Sequence, residues 1–250
     1  MYTGAPIERE EMNEWLDDTI STLLNGSSPG HVFEVGTGTG MMLFNLVEGL
    51  QSYVGLEPST TALNFVQTAV PNIPGLKGKV RLLTGTADDI NRIDRSNFVD
   101  VAVINSVAQY FPTPDYLLKV VEDLMCLKGA KRIFLGDIRS YALYEEFQVS
   151  QALYSRTQGL PTVADIRSQM AETVHMEEEL LVDPAFFTSL PSRLPHLVEH
   201  VEILPKRMVA TNELSCYRYA AVLYAKQQPN LGLRIHDVEE SQWVDFSARK

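Results

Sequence analysis

Three glycines and a glutamate form the most distinctive chemical pattern of the sequence, in residues 34–40 (EVGTGTG). The pattern follows an apolar segment that predicts a buried strand, and it precedes a segment that predicts a helix. Glycines in this place allow the backbone to turn tightly and to approach a ligand, which the free amides of a helix start then face. The G-x-G-x-G spacing differs from the G-x-G-x-x-G of a dinucleotide-binding loop.

A second carboxylate, Glu57, ends the next predicted strand. A carboxylate in that position can accept hydrogen bonds from both hydroxyls of a ribose. Together with the glycine loop it predicts a nucleoside cofactor bound at the switch point of a parallel sheet. In the alternative interpretation the glycines only make a tight turn.

The elements that must position these residues alternate between strands and helices over the first 140 residues. Hydrophobic patterning predicts strands at 31–35, 52–56, 79–83, 99–105 and 132–136. It predicts helices at 7–24, 40–50, 60–70 and 116–127, the third of them capped by Ser59. This alternation predicts an α/β fold with a doubly wound parallel sheet.

The order of elements changes after residue 140. Segments 142–156, 163–181 and 184–190 predict helices with no strand between them. Segments 198–204 and 217–225 predict two strands that are joined by a polar turn at 206–215 and form an antiparallel hairpin at the sheet edge. We expect the helical block, 142–197, to form a lid over the carboxyl end of the sheet, with the glutamates at 177–179 on a solvated outer face. Residues 1–226 are then one domain, and 227–250 are a polar linker or tail.

The composition is that of a globular but strongly acidic chain. Of 250 residues, 45% are hydrophobic and 21% are charged, and the net charge is −11. Such a surface is unsuited to nucleic-acid phosphates, which argues against an enzyme that modifies RNA or DNA. The longest apolar runs are about half a membrane span, and the first residues lack the features of a secretory signal. We therefore expect a cytoplasmic protein without a membrane or nucleic-acid partner.

Histidines and cysteines do not form the pattern of a metal site. His196 and His200 have a spacing that could bind metal on a helix. No third ligand cluster accompanies them, and Pro195 and the start of a strand interrupt the helix. Cys126 and Cys216 cannot form a disulfide framework, and their apolar surroundings predict buried thiols. We expect no metal.

The carboxylate before the first glycine, the G-x-G-x-G loop and Glu57 resemble class I S-adenosylmethionine-dependent methyltransferases. The resemblance implies a Rossmann-like, mostly parallel sheet of seven strands with an antiparallel C-terminal hairpin. It also implies S-adenosyl-L-methionine as cofactor and S-adenosyl-L-homocysteine as product. The implied cofactor contacts are Glu34, Gly36, Thr37, Gly38, Gly40, Glu57, Pro58, Thr86, Ala87, Asp88, Asn105 and Ser106. For Asp88 and the neighbouring Asp89, a helix cap is the alternative.

Six longer segments resemble a narrower group: residues 2–7, 49–59, 104–112, 134–142, 178–187 and 210–219. They are similar to the N-methyltransferase domain of nonribosomal peptide synthetases, particularly the fungal cyclosporin and enniatin type. The resemblance covers residues 2–225, although the stretch at 45–50 is slightly short for that family. It implies methylation of the α-amine of an aminoacyl thioester held by the phosphopantetheine arm of a peptidyl carrier protein domain. It also implies an adjoining adenylation domain, so we expect a domain excised from a longer protein.

An α-amine has a pKa of about 7.7–8.0, and an adjacent thioester lowers it, so positioning can supply most of the rate without a strong base. We expect Asn105 and Tyr110 to orient the amine and Asp137 or Glu213 to accept its proton. Further expected substrate contacts are Tyr2, Gln109, Arg139, Asn212 and Tyr217. The bland alternatives are a helix cap for Asp137, a solvated turn for Glu213 and packing under the lid for Tyr110.

Rival functions remain at this point. A nicotinamide-dependent oxidoreductase is disfavoured by the glycine spacing and by the closing hairpin. A non-catalytic docking domain is disfavoured by the intact glycines and Glu57. A side-chain O-methylating domain of the same synthetase group and a stand-alone small-molecule methyltransferase stay open.

Overall fold

The computed structural model describes residues 6–93, 98–154 and 162–226, in which one mixed seven-stranded sheet is flanked by helices. The strands are β1 (Gly30–Val35), β2 (Leu50–Glu57), β3 (Val80–Thr84), β4 (Val101–Asn105), β5 (Arg132–Arg139), β6 (Val198–Pro205) and β7 (Arg218–Ala225). The helices are α1 (Arg9–Leu24), α2 (Met41–Asn45), α3 (Thr60–Ala69), α4 (Pro114–Met125), α5 (Tyr144–Tyr154), α6 (Val163–Met176), α7 (Pro184–Thr188), α8 (Leu190–Arg193) and α9 (Glu213–Tyr217).

The sheet has the strand order β3-β2-β1-β4-β5-β7-β6. The first five strands in the chain pair in parallel, whereas β7 runs antiparallel to both of its neighbours, β5 and β6. The predicted α/β fold, with a doubly wound parallel sheet and an antiparallel C-terminal pair at its edge, is confirmed. Because the last strand inserts between β5 and β6, its first residues lie beside the carboxyl end of β5.

Strand β4 shows why the sheet lies inside the molecule. All five of its residues are buried, as expected for a central parallel strand covered on both faces. Ala102 and Ile104 pack in a cluster with apolar residues of α4, and Val101 and Val103 pack in a second cluster with residues of α1 and α2. The alternation of side chains along a strand thus joins the two helical layers through one sheet.

Helix boundaries follow the caps. Ser59 accepts a hydrogen bond from the Ala62 amide (3.3 Å), which confirms the predicted cap of α3. Helix α4 begins before the predicted residue 116, because the Thr113 hydroxyl accepts a hydrogen bond from the Tyr116 amide (3.1 Å) and Pro114 is the first helical residue.

Several predicted elements were wrong in extent. Helix α2 ends at Asn45 rather than at residue 50, since Gly49 has a positive φ of 76° and β2 already begins at Leu50. Strand β5 continues to Arg139, past the predicted end at 136, because β7 extends the sheet beside it. The predicted polar turn at 206–215 contains the first turn of α9, which Asn212 caps.

The block predicted as a lid contains α5 to α8. Helix α6 ends at Met176, and the predicted helix at 184–190 is divided into α7 and α8, which pack on β6. The predicted solvated face was wrong for two of the three glutamates. Glu177 and Glu179 both pair with the Arg139 guanidinium, at 2.8 and 2.9 Å, and only Glu178 is exposed.

Cys126 and Cys216 are exposed, contrary to the prediction of buried thiols. Among the described residues, no cluster of three or more His, Cys, Asp or Glu side chains could hold a metal ion. No helix in the same part of the chain is sufficiently long and apolar to span a membrane.

The cap of α4 gives a test of the fold. Thr113→Ala should lower the free energy of unfolding by about 1 kcal/mol, because the amide of Tyr116 loses its acceptor, whereas Thr113→Ser should lose far less. Urea unfolding followed by circular dichroism measures both variants. Equal losses in the two variants would show that the hydroxyl does not cap the helix.

Candidate functional site

A cavity of about 730 Å³ opens at the carboxyl ends of the parallel strands. Its wall combines the glycine loop after β1, the end of β2, the turn after β3 and the segment after β4. The lining residues are Glu34, Val35, Gly36, Thr37, Gly38, Thr39, Met41, Met42, Glu57, Pro58, Gly85, Thr86, Ala87, Asp88, Asn105, Ser106, Val107, Tyr110, Phe111, Pro112 and Tyr116. Of the residues predicted to contact the cofactor, Gly40 is absent from this wall.

The glycine loop needs its glycines for different reasons. Gly36 has a φ of 80°, and a Cβ there would lie 2.3 Å from Cγ2 of Val107, so no side chain fits. Gly38 also has a positive φ, with open space beside it. Gly40, with a φ of 85°, is the residue directly before α2, and a Cβ there would collide with Phe44. Gly40 therefore permits helix packing rather than a cavity contact.

Glu57 ties the loop to the end of β2. Its carboxylate oxygens accept hydrogen bonds from the backbone amides of Gly38 (2.8 Å) and Ser59 (2.9 Å). A carboxylate has about four acceptor positions, so Glu57 retains the capacity to accept hydrogen bonds from a ligand. It is largely buried on the cavity wall.

Glu34 is a buried carboxyl at the base of the same loop. The Tyr53 hydroxyl forms a short hydrogen bond with it and also lies 3.2 Å from the Thr37 hydroxyl. Burial raises the pKa of Glu34 to about 8, against which the Tyr53 hydrogen bond acts, and the nearby Glu57 charge raises this pKa further. At neutral pH the carboxyl is therefore mostly uncharged.

Tyr53 and Gly55 were not anticipated from the sequence. A Cβ at Gly55 would lie 2.3 Å from the Thr37 hydroxyl and 2.8 Å from Cε1 of Tyr53, so only glycine leaves room for this contact. A glycine inside a predicted strand indicates a close approach of this kind. Its partner could not be identified before the strand order was known.

The turn after β3 resolves the two interpretations of its acidic pair. Thr86 and Asp89 form a reciprocal capping box at the start of a short 3₁₀ helix. Asp88 instead lies on the cavity wall, together with Thr86 and Ala87. Asp89 is thus the capping residue. Asp88 is hydrogen-bonded to the Tyr116 side chain, which lies on the same cavity wall, and keeps further acceptor positions for a ligand.

Three polar side chains connect the carboxyl ends of β4 and β5. The Asn105 amide nitrogen lies 3.3 Å from the Ser106 hydroxyl, which donates to Asp137 at 2.9 Å. The Oδ1 atom of Asn105 is buried and has no hydrogen-bond partner in the described structure. A Cβ at Gly136 would lie 2.1 Å from this Oδ1, so the glycine makes room for the amide.

Arg218 holds both of the predicted proton acceptors. Its guanidinium donates to Asp137 at 2.8 Å and to Glu213 at 2.7 Å. Trp15 of α1 donates its indole N–H to the other oxygen of Asp137 at 3.3 Å. Asp137 and Glu213 are not among the residues that line the main cavity. Sequence reasoning missed Arg218 and Trp15, which are brought here by elements remote in the chain.

The predicted substrate contacts are dispersed. Arg139, Glu213 and Tyr217 lie together on a second, much smaller cavity, which Arg218 also lines. The Tyr217 hydroxyl is 2.5 Å from the hydroxyl of Ser150 on α5.

Tyr110, Gln109 and Asn212 occupy other environments. Tyr110 is 71% exposed and lies on the main cavity wall. Gln109 is buried, and its Oε1 has no hydrogen-bond partner within the described residues. Asn212 caps α9 and donates to Glu11 at 2.8 Å. Tyr2 lies outside the described residues.

The cavity fits a nucleoside cofactor. The backbone at Gly36 and Gly38 can approach a ligand, the Glu57 carboxylate faces the same space, and Thr86, Ala87 and Asp88 offer polar and apolar contacts. This is the set of groups that a ribose and a purine ring require.

Comparison of the sequence with known proteins gives a consistent result. The family described as "Methyltransferase domain" matches residues 33–130. The chain is 56% identical over its whole length to nonribosomal peptide synthetase asqK of Emericella nidulans, of which it spans 10%. It is 56% identical over 98% of its length to nonribosomal peptide synthetase dtxS1 of Metarhizium robertsii and 53% identical over 99% to a bassianolide synthetase of Beauveria bassiana. It spans 3% and 8% of these two proteins.

Solved structures agree on the fold. The small RNA methyltransferase HEN1 is similar with a TM-score of 0.61 at 15% identity, over 90% of this chain and 26% of that protein. A complex of DhpI with SAM and HEP gives 0.54 at 14% identity, over 86% of this chain and 87% of that one. The N-methyltransferase NodS of Bradyrhizobium japonicum gives 0.54 at 8% identity, over 88% and 99%. The sheet is thus that of class I methyltransferases.

The buried carboxyl of Glu34 predicts a pH dependence of stability. Its pKa rises on folding from an ordinary 4.5 to about 8, so the folded protein holds a proton that the unfolded chain releases in that window. Stability from this group is complete below the lower pKa and is lost as the pH rises towards the upper one. Glu34→Gln lacks this dependence.

Urea unfolding of wild type and Glu34→Gln at about pH 5 and about pH 8 tests this expectation. The stability of the variant relative to wild type should increase by at least about 1 kcal/mol between the two conditions. A constant difference would mean that Glu34 is ionised in the folded protein throughout.

Proposed function

Because the chain is a methyltransferase domain that aligns over its whole length with part of fungal nonribosomal peptide synthetases, we propose that it N-methylates an aminoacyl group during peptide assembly. The methylated atom is the α-amine of an amino acid held as a thioester on the phosphopantetheine arm of a carrier protein domain. The identity to synthetases over at least 98% of the chain supports this substrate class.

The main cavity supplies the cofactor site. When bound, S-adenosyl-L-methionine supplies an electrophilic methyl group on a positively charged sulfur. Gly36, Thr37 and Gly38 offer close backbone approach, and the Glu57 carboxylate can accept the ribose hydroxyls. Thr86, Ala87 and Asp88 are then available to the adenine, and Pro58 covers the adjoining wall. The solved structures of DhpI, which has a similar fold, are complexes with SAM or SAH, and they support the proposal that this cavity binds the same cofactor.

One observation supports an amine as the group that reacts. Asn105 lines the cavity, and its Oδ1 is a buried acceptor that has no hydrogen-bond partner in the described structure. A buried acceptor that is left without a donor costs about 1–3 kcal/mol, and an amine N–H removes that cost. An amide oxygen orients the amine without protonating it, so the lone pair stays free for in-line attack. The exposed Tyr110 hydroxyl can contact the same group from the cavity mouth.

The charged groups nearby support N- over O-methylation. A hydroxyl acceptor needs a base to remove its proton, but Asp137 and Glu213 are both engaged by Arg218. The α-amine needs no strong base, because its pKa of about 7.7–8.0 leaves a neutral fraction near pH 7. The amine loses its proton only after transfer, when solvent can accept it. Methylation of a side-chain hydroxyl is the competing function, and a free small-molecule substrate is the second.

The proposed partner domains are inferred from the synthetases to which the chain is similar. The chain spans a tenth or less of the synthetases described above, so we propose an adjoining adenylation domain and a carrier domain in the same polypeptide, in the cytoplasm. The net charge of −11 does not favour a nucleic-acid substrate.

Loss of the Glu57 carboxylate tests the cofactor site. Glu57→Ala should weaken S-adenosyl-L-homocysteine binding by on the order of 1.5–3 kcal/mol, because the ribose loses charge-assisted hydrogen bonds and the glycine loop loses its tie to β2. Glu48→Ala, which removes an exposed carboxylate just before β2, is the matched control and should bind as wild type does. Calorimetry with unchanged affinity in Glu57→Ala would refute this placement.

The substrate class is tested with labelled cofactor and with matched free amino acids and aminoacyl-pantetheine thioesters. The thioester should show the higher kcat, because binding of the arm helps to orient the amine. Mass spectrometry should find the methyl group on the α-nitrogen. Equal kcat on both substrates, or a methyl group on oxygen, would contradict the proposal.

A further inference from the structure

We infer that Asp137 is a positioning residue which, through the Ser106 hydroxyl, fixes the direction in which the Asn105 amide faces the cavity. This inference rests on the proposed function, since it concerns how the acceptor for the amine is oriented. It assigns Asp137 a role different from the one expected from the sequence, where it was a candidate proton acceptor.

The direction follows from what each group can donate. An ionised carboxylate only accepts, so the Ser106 hydroxyl must use its single proton towards Asp137, at 2.9 Å. The hydroxyl oxygen can then only accept from Asn105, so the Asn105 Nδ2 group must face Ser106, at 3.3 Å. The other end of the amide, Oδ1, thereby lies over Gly136 as a buried acceptor without a hydrogen-bond partner in the described structure, on a residue that lines the cavity. Without these two hydrogen bonds, the Asn105 amide group could rotate by half a turn and present its N–H groups to an amine.

Backbone geometry indicates that the arrangement is imposed. Ser106 and Asp137 have φ values of 57° and 61°, in the left-handed region that side-chain-bearing residues rarely adopt. Such strain persists only where the surroundings enforce it, and it clusters at functional sites. Ser106 directly follows β4, Asp137 lies near the end of the neighbouring β5, and their side chains are hydrogen-bonded to each other. Between them, Gly136 leaves the space that Oδ1 of Asn105 occupies.

An irregularity in the sheet aims Asp137 at Ser106. The register between β5 and β7 shifts between Leu135 and Ile138, so that Gly136 and Asp137 lie in a bulge. Bulges next to functional sites redirect a side chain in this way. Arg218, the first residue of β7, then meets the Asp137 carboxylate.

Three hydrogen-bond donors hold the Asp137 carboxylate in place. Arg218 donates to Oδ2, and the Trp15 indole donates to Oδ1 from α1. Trp15 is itself packed under the Lys206 ammonium, 5.3 Å from the ring centre. With Ser106 as the third donor, no described contact requires the carboxylate to hold a proton. Asp137 thus supports the site through hydrogen bonds and does not receive the substrate proton.

The charge on Asp137 can be removed with little change in shape. Asp137→Asn can donate to Ser106, which frees the hydroxyl to donate towards Asn105 and lets the amide reverse. We expect kcat on the aminoacyl thioester to fall about tenfold or more, with S-adenosyl-L-homocysteine affinity within about twofold of wild type. Ser106→Ala, which perturbs the ion pair less, should give a similar loss. Asp100→Asn, whose carboxylate pairs with Lys131 and caps His31 at the opposite strand ends, is the matched control.

A double-mutant cycle separates this role from a merely structural one. In an Asn105→Ala background, Asp137→Asn should lower kcat little further, because both changes act on the same acceptor. A full additional tenfold loss would overturn the inference. So would a kcat/KM pH profile in which Asp137→Asn abolishes a titrating limb, since that would make Asp137 the proton acceptor.

An NMR measurement that does not depend on enzymatic turnover tests the positioning role of Asp137 separately from the proposed function. The side-chain ¹H–¹⁵N signal of Asn105 should move in both Ser106→Ala and Asp137→Asn and stay in place in Asp100→Asn. An unmoved Asn105 signal in the first two variants would overturn the positioning role. If the signal moves but wild type methylates no thioester, the contact stands and the proposed function fails.

Discussion

The ion pair between Arg218 and Asp137 joins the antiparallel end of the sheet to the parallel part that carries the cavity. Both side chains are largely buried, at 15% and 5% exposure, and an unpaired buried charge would cost several kcal/mol. The pair therefore makes the position of β7 and the bulge in β5 mutually dependent. Ser106 and Asn105 inherit their orientation from this contact. The C-terminal strands thus complete the site as well as the sheet.

The carboxyl groups around the site are held in three different states. Burial keeps Glu34 mostly neutral at pH 7, Glu57 accepts hydrogen bonds from two backbone amides, and Asp137 is paired with the Arg218 guanidinium. This distribution places a carboxylate where a ribose would bind and an uncharged amide at the end of β4. A neutral acceptor is suited to an amine that must keep its lone pair for attack. In the proposed reaction, the cavity contributes the placement of charge rather than a strong base.

Much of the fold could be predicted from local patterns, because strand and helix periods and the glycine loop act over a few residues. The limits of elements were less predictable. Helix α4 begins before its predicted first residue because of one side-chain hydrogen bond from Thr113. Strand β5 extends past its predicted end only because β7 lies beside it. Glu177 and Glu179 belong to a run of glutamates that is typical of a solvated surface, yet in the structure both carboxylates pair with the Arg139 guanidinium.

Local sequence patterns were enough to predict the α/β alternation, the closing antiparallel strands and most of the cavity wall. The residues of that wall directly follow parallel strands, and the carboxyl ends of such strands meet at one edge. Which acidic side chains are held in ion pairs, as Asp137 and Glu213 are by Arg218, depends on the tertiary fold. Trp15, Asp137 and Arg218 are distant in sequence. Trp15 reaches Asp137 because α1 packs on the sheet, and Arg218 reaches it because β7 lies between β5 and β6. No local pattern encodes a pairing between side chains that the chain brings together only after the sheet has formed.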